Sequence, residues 1–505
     1  MNMLFSNLGN CILPHAPHKD EVAFVDTSTD PHRSFTVADL NRLADAFADR
    51  LSTFGITTNT KVAICGKNRV EYVLSYLGLM RLGAVAVPIN HQLGADVLEH
   101  ILTDSECAFI IADHPDDYPF DDSRPVITFD ELMSQAENIK ATVQFASFDT
   151  SEETDAEILY TSGSTGFPKG VPLTHHGQCW ALSRFLESAA KGPTYHSTIV
   201  AAPLYHMNGL FFTTFCLAQG IKIISMPKFD AATYVDLIAQ YQCDYLSGVP
   251  TMFSLIAGLR PDVLNKNLDH VQRIHMGSAP LSQSLLDQLG NTFKNAEFSN
   301  GYGSTEAGPC IFGPHPDGHA TPETSLGYPL SEIEWRFSNG DDQEGPFELR
   351  TPALTNGYLN RPDANEKQFT ADGWYRSNDI MCRDELGFFY FVGREDDMFV
   401  CGGENIFPGQ VEKIIEKHPD ITQSAVIPFA HATKGMAPAA FVVVRDAGTA
   451  PSEDDIKAHC IDIGPAYAHP RHVLILPELP LGGTKKVDKH QLKGLLEEYL
   501  QKKSA

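Results

Sequence analysis

The chain has 505 residues, and 38 Lys and Arg against 64 Asp and Glu leave a formal charge of −26. Such a surface repels nucleic-acid backbones and anionic lipid, and no run approaches the roughly 18 consecutive apolar residues of a membrane span. A composition of 43% hydrophobic and 20% charged residues is that of an ordinary globular protein with no nucleic-acid partner and no membrane span. The first residues hold no basic segment leading into a long apolar one, so no signal peptide is expected. Ten single cysteines without a C-x-x-C pair predict reduced thiols and a cytoplasmic location.

In chain order, the first strong element is a helix from Thr36 to Leu51, where Val37, Leu40, Ala44, Phe47, Ala48 and Leu51 recur at helical spacing. Thr36 and Asp39 are placed as a capping box, and Gly55 follows as a stop. Strand-like runs come at Val62–Cys65, Ala84–Val87, Ala108–Ala112, Thr198–Ala202, Ile221–Met226, Tyr245–Val249 and Arg273–Met276, with helical stretches such as Tyr234–Gln242 between them. Strands alternating with helices predict an α/β fold built on mostly parallel sheets. After Gly393 the pattern restarts: a helix Pro408–Lys417, apolar runs Ala425–Pro428 and Ala439–Val444, and an amphipathic helix near Leu492–Leu500. That tail of about one hundred residues has the size of a small α+β domain.

The densest chemical signal is Ile158-Leu159-Tyr160-Thr161-Ser162-Gly163-Ser164-Thr165-Gly166-Phe167-Pro168-Lys169-Gly170. A strand runs into hydroxyls, bare glycine amides and one lysine, the donor set that polyphosphate oxygens require. It is not a Walker A loop, which has four residues between its glycines and Ser or Thr directly after the lysine. Further segments stand in order: Pro203-Leu204-Tyr205-His206-Met207-Asn208-Gly209, Gly277-Ser278-Ala279-Pro280-Leu281, Asn300-Gly301-Tyr302-Gly303-Ser304-Thr305-Glu306, Gly373-Trp374-Tyr375-Arg376-Ser377-Asn378-Asp379, Gly393-Arg394-Glu395-Asp396-Asp397, and Pro480 to Lys489.

This ordered set, spread over nearly the whole chain, resembles the acyl-adenylate-forming superfamily of acyl-CoA synthetases, nonribosomal peptide synthetase adenylation domains and luciferases, and most of all an AMP-forming acyl-CoA ligase. The resemblance implies a large N-terminal domain of stacked, mostly parallel sheets with helices, residues 1–395, and a small mobile α+β domain, residues 396–505, hinged near Asp396. ATP, Mg²⁺ and coenzyme A are the implied cofactors, and a small carboxylic acid the substrate. Thr161, Ser162, Gly163, Ser164, Thr165, Gly166 and Lys169 are expected on the phosphates, with Gly277, Ser278, Ala279, Gly301, Tyr302 and Gly303 around the adenine. Asp379 and Arg394 are expected on the ribose. Thr161 and Glu306 offer the hard oxygens that Mg²⁺ prefers. Thr305, Glu306, His206 and Lys486 form the implied catalytic set, with Lys486 reaching the substrate carboxylate and the α-phosphate.

The run Val400-Cys401-Gly402-Gly403-Glu404-Asn405-Ile406-Phe407-Pro408 resembles that of CoA ligases, with Gly402 and Gly403 beside the pantetheine. The chain departs from the family pattern at Lys485 and Asn378, where glycine is usual, at Val400, where lysine is usual, and at Gln410, where glutamate is usual. Tyr205, Asn208, Pro250, Thr251 and Gly277 are expected to line an acyl pocket. Loading of an acyl carrier protein and a catalytically silent nucleotide binder stay open as alternatives, as does the choice between monomer and homodimer. Amino-acid adenylation is disfavoured, because no acid stands near Tyr205–Asn208. His315 and His319 have metal-ligand spacing but no third ligand in the sequence, and are read as solvated.

Overall fold

A computed structural model describes residues 3–12, 19–120, 124–138, 144–161, 167–431, 433–445, 448, 450–482 and 486–504. Two large sheets dominate the part before residue 330. The first has seven strands in the order Glu297–Gly301, Arg273–Gly277, Tyr245–Gly248, Ser197–Val200, Lys222–Ser225, Val22–Asp26 and Arg33–Thr36, all parallel except the last pair. The second has six, Val126–Thr128, Phe109–Ala112, Lys61–Cys65, Val85–Ile89, Asp155–Thr161 and Lys169–Thr174, closed by an antiparallel hairpin. The mostly parallel sheets expected from the alternating pattern are therefore present. A third sheet, Glu334–Phe337, Glu344–Arg350, Tyr375–Arg383 and Phe389–Arg394, is wholly antiparallel.

Local sequence explains the helices. Val37–Thr53 begins at Thr36, whose side chain takes the Asp39 N–H while Asp39 takes that of Thr36, the reciprocal cap read from the sequence. Ala231–Tyr241 starts three residues earlier than its apolar spacing suggests, because Asp230 caps the Thr233 N–H. Two helices sit between sheets and are apolar nearly all round: twelve residues of Val70–Leu82 are buried, as are nine of Met207–Gln219. Around them one core joins all three sheets, from Phe24, Ile64 and Ile223 to Phe347 and Phe389.

The C-terminal part has a fourth, five-stranded sheet, with Glu404–Ile406, Phe399–Cys401, Gly435–Val444 and Ile421–His431 in order and His472–Leu476 parallel to Gly435–Val444. Helices Pro408–Ile415, Glu453–Ile463 and Lys489–Ser504 pack on it. Its buried clusters draw only on residues from Phe399 onward, whereas the other clusters end at Phe389. Between them lies one acidic turn, Glu395–Asp397.

Candidate active site

In open α/β sheets, ligands collect at the carboxyl ends of the strands, and the motif residues meet there. Neighbouring strands end at Gly277 and Gly301, which are direct register partners, and Tyr302 follows. The Tyr302 hydroxyl donates to Asp379 Oδ2 at 2.5 Å, and Arg394 donates to Asp379 Oδ1 at 3.1 Å. Asp379 and Arg394 face each other across two antiparallel strands, so the third sheet brings a carboxylate and its guanidinium partner to the Tyr302 hydroxyl. Burial raises the Asp379 pKa, with Arg394 and Tyr302 opposing. Burial works against the Arg394 charge, but Asp379 and Asp396 outweigh it and raise its pKa.

Glu306 is 8% exposed and accepts from the Tyr358 hydroxyl at 2.8 Å. The Lys169 ammonium lies 4.2 Å from the centre of the same Tyr358 ring, so the lysine after the glycine loop and the acidic residue of the nucleotide motif share one aromatic. Thr161 and Lys169 are partners across the hairpin that carries that loop. Ser162, Gly163, Ser164, Thr165 and Gly166 lie outside the described residues. Among the described residues no lysine or arginine pairs with Glu306. A buried carboxylate without a paired cation is the kind of hard-oxygen donor that suits a divalent ion.

His206 stands at the N-terminus of the buried helix Met207–Gln219 without capping it through its side chain, and Gly209 in the first turn is obligatory: a Cβ there would lie 2.3 Å from the Pro203 carbonyl oxygen. The His206 Nε2 is buried without a hydrogen-bond partner among the described residues. Burial and the charge of Lys486 push its pKa down to about 4. Lys486 stands on a loop closed by Gly482 N–H to Lys486 O at 2.8 Å and Asp488 N–H to Pro480 O at 2.8 Å. Lys486 is exposed, yet desolvation and Arg394 lower its pKa while Asp379 opposes them. Lys486 is thus within electrostatic reach of His206, Asp379 and Arg394, which come from three separate stretches of chain. Lys485, Gly483 and Thr484 lie outside the described residues.

Other expectations are placed differently. Gly402 and Gly403 form the exposed tip of a hairpin with φ of +63° and +97°, so their local role is a turn that needs two left-handed residues. The Gly402 N–H donates to the Lys434 oxygen, and Cys401 pairs with Gly435. Ser278 follows Gly277 with φ +64°, while Gly303 leaves no room for a side chain, since a Cβ would meet the Gly308 oxygen at 2.6 Å. Asn378 has φ +58°: the position needs the left-handed region, which asparagine tolerates better than other side chains. Asp317 supplies the third group that the His315 and His319 reading lacked, its carboxylate within 4.8 Å of both rings. His315 is nonetheless committed, with Nδ1 accepting from the Asp317 N–H and Nε2 3.1 Å from the Leu386 oxygen. Tyr358 went unread in the sequence because a lone tyrosine in Asn-Gly-Tyr-Leu has no chemical signature.

An aromatic, a buried carboxylate with its guanidinium partner, and a loop lysine within electrostatic reach of both stand at the carboxyl ends of the strands of an α/β fold. Residues 15–359 match the AMP-binding enzyme family and residues 410–486 the AMP-binding enzyme C-terminal domain. The chain is 30% identical over 474 residues to a 2-succinylbenzoate–CoA ligase of Bacillus mycoides, covering 92% of this chain and 94% of the relative. It is 29% identical over 493 residues to the long-chain-fatty-acid–CoA ligase FadD13 of Mycobacterium tuberculosis, covering 93% and 94%. Among solved structures, ATP-bound MatB from Rhodopseudomonas palustris superposes with a TM-score of 0.84 at 26% identity, covering 97% and 98%. The chain belongs to the AMP-binding enzyme family, and it is an enzyme of the AMP-forming acyl-CoA ligase group, whose reaction uses ATP, Mg²⁺ and coenzyme A. Among the described residues no helix is long and apolar enough to cross a membrane.

Proposed function

We propose that this enzyme joins a small carboxylic acid to coenzyme A in two half-reactions within the crevice around Tyr302, Asp379 and Lys486. In the first, the acid's carboxylate attacks the α-phosphorus of ATP and pyrophosphate leaves. The Tyr302 ring packs on the adenine, and Asp379 takes the ribose hydroxyls. Lys169 and the hairpin amides hold the phosphates, and Lys486 offsets the repulsion between carboxylate and α-phosphate. When bound, Mg²⁺ on Glu306 and Thr161 would neutralise phosphate oxygens. His206, neutral and with a free Nε2, orients the acid's carboxylate, and the Thr305 hydroxyl adds a donor beside it. In the second half-reaction the thiol attacks the acyl carbon and AMP leaves.

Residues 1–395 and 396–505 act as two bodies hinged at Asp396. Separate cores on either side of the Glu395–Asp397 turn support this. The turn is held by Arg394 to Asp396 at 3.4 Å and by Lys489 to Asp397 at 2.6 Å. Exposed ion pairs of this kind contribute about 0–1 kcal/mol each, a latch weak enough to exchange. Rotation would withdraw Lys486 and bring Gly402 and Gly403 towards the crevice as a path for pantetheine. The ten free cysteines suit a cytoplasmic setting.

The observation that carries this reading is the buried Tyr302–Asp379–Arg394 cluster at the strand ends, with Lys486 within electrostatic reach of it and of His206, a set suited to adenylation and more than a silent nucleotide binder needs. The acid is not transferred from the relatives, since those named for 2-succinylbenzoate and for long-chain fatty acids match equally well. A panel of acids assayed for pyrophosphate release, with and without coenzyme A, tests it. Acid-dependent release coupled to CoA consumption is the expected result. Release without CoA use would move the acceptor to a carrier protein, and no release with any acid would refute the ligase reading.

A further inference from the structure

The face of the first sheet turned towards the helix that follows His206 carries a polar row. On three neighbouring strands, alternation sends Leu246, Ile274, Met276 and Phe298 into the core of one face. The other face carries Ser247, His275 and Ser299, and the register sets them side by side. That face is turned to the helix Met207–Gln219: Tyr245, two residues before Ser247, packs edge-on against Phe212 with ring centres 5.4 Å apart. The row therefore lies between the helix that begins after His206 and the strand ends at Gly277 and Gly301.

His275 Nδ1 is 2.9 Å from Ser299 Oγ. Its Nε2 stands against Gly301, where an added Cβ would come within 2.6 Å of it, so the imidazole fills the space a side chain at 301 would take. Burial and the charge of Arg273 push its pKa down to about 4. The ring is then neutral near pH 7, with one nitrogen a donor, the other an acceptor, and the Ser299 hydroxyl free to turn to suit either. A pocket shaped for an alkyl chain gains nothing from this row. An alkyl group against it would strip water from an imidazole nitrogen and a hydroxyl without replacing the hydrogen bonds.

We infer that His275 and Ser299 make this enzyme selective for acids whose non-reacting part carries a neutral hydrogen-bonding group, a hydroxyl, carbonyl or amide, beside Gly301, over plain alkyl acids of equal size. The inference rests on the adenylate-forming reading above. The test is kcat/KM from pyrophosphate release on pairs of equal heavy-atom count: hydroxybenzoates against methylbenzoates, and hydroxy- and oxoalkanoates against alkanoates. The wild type should favour at least one oxygen-bearing acid over its alkyl partner by about 10²-fold or more, since a site built to hydrogen-bond rejects the analogue that cannot. His275→Leu should bring that ratio within about threefold with KM for ATP unchanged, and Ser299→Ala, which removes one oxygen at little structural risk, should lower it about tenfold. Preference of the wild type for the alkyl acids overturns the inference and leaves the ligase reading standing. So does an unchanged ratio in Ser299→Ala with both acids slowed alike, the mark of a structural role. Absence of acid-dependent pyrophosphate release overturns both.

Discussion

Replacement of Asp379 by asparagine separates a ribose contact from general stability. An ionised carboxylate has about four lone-pair positions, and two are already taken by the Tyr302 hydroxyl at 2.5 Å and Arg394 at 3.1 Å. Two remain, one for each ribose hydroxyl. Asp379→Asn keeps the shape, converts one oxygen to a donor and removes the charge from a side chain that is 8% exposed. One charge-assisted hydrogen bond lost contributes about 1.5–3 kcal/mol, and Arg394 keeps the exposed Asp396 as its one carboxylate partner among the described residues. A total near 3 kcal/mol lowers kcat/KM for ATP about 10²-fold, read as initial rates of pyrophosphate release at varied ATP. Repeating the titration with 2′-deoxy-ATP closes a cycle: the analogue should be poorer than ATP in the wild type, and the difference should shrink to within about threefold in the variant. Equal discrimination in both proteins, or a variant within threefold of wild type on ATP, would refute the ribose assignment.

Lys486→Ala should lower acyl-adenylate formation by about 10²-fold or more while thioester formation from supplied acyl-adenylate stays within about threefold; equal loss in both half-reactions would contradict a lysine that serves one conformation. Asn378→Val should destabilise the protein by about 1–2 kcal/mol in urea unfolding, because its φ of +58° suits glycine and asparagine only, whereas Asn378→Gly should match the wild type or exceed it. Glu157 is buried beside Tyr76, and burial raises its pKa from 4.5 to about 7. The native state then holds a proton that the unfolded chain has released, so stability falls as pH rises from about 4.5 through 7. Glu157→Gln should remove that fall, and its Tm advantage over wild type should be larger at pH 8 than at pH 5.

Much of the scaffold was legible where local chemistry decides it. The Thr36 and Asp39 cap fixed the first long helix, and the apolar runs of the first 300 residues fell within a residue or two of the strands observed, whereas Ala425–Pro428 and Ala439–Val444 marked only the inner parts of the longer strands Ile421–His431 and Gly435–Val444. Val70–Leu82 and Met207–Gln219 were not legible, because helices buried between two sheets are apolar on every side and lose the 3.6-residue period. The antiparallel third sheet was also hidden: Glu344–Arg350 and Tyr375–Arg383 mix buried and half-exposed positions, and strand direction is set by pairing, not by composition.

For the site, sequence by itself determined the inventory: which hydroxyls, glycines, carboxylates and cations stand at which positions, and so the class of chemistry. Only the tertiary structure decided the company they keep. It set Asp379 against Arg394 by cross-strand register and placed Tyr358 between Lys169 and Glu306. It turned the Asn378 departure into a left-handed requirement and stood His275 in the space Gly301 leaves open. These are contacts between distant segments, fixed by how sheets pair and pack, and no local pattern in one chain encodes them. The same holds for the charge of −26: the total disfavours polyanionic partners, whereas the field proposed to act on ATP is local, from Lys169, Arg394 and Lys486, which stand far apart in the sequence.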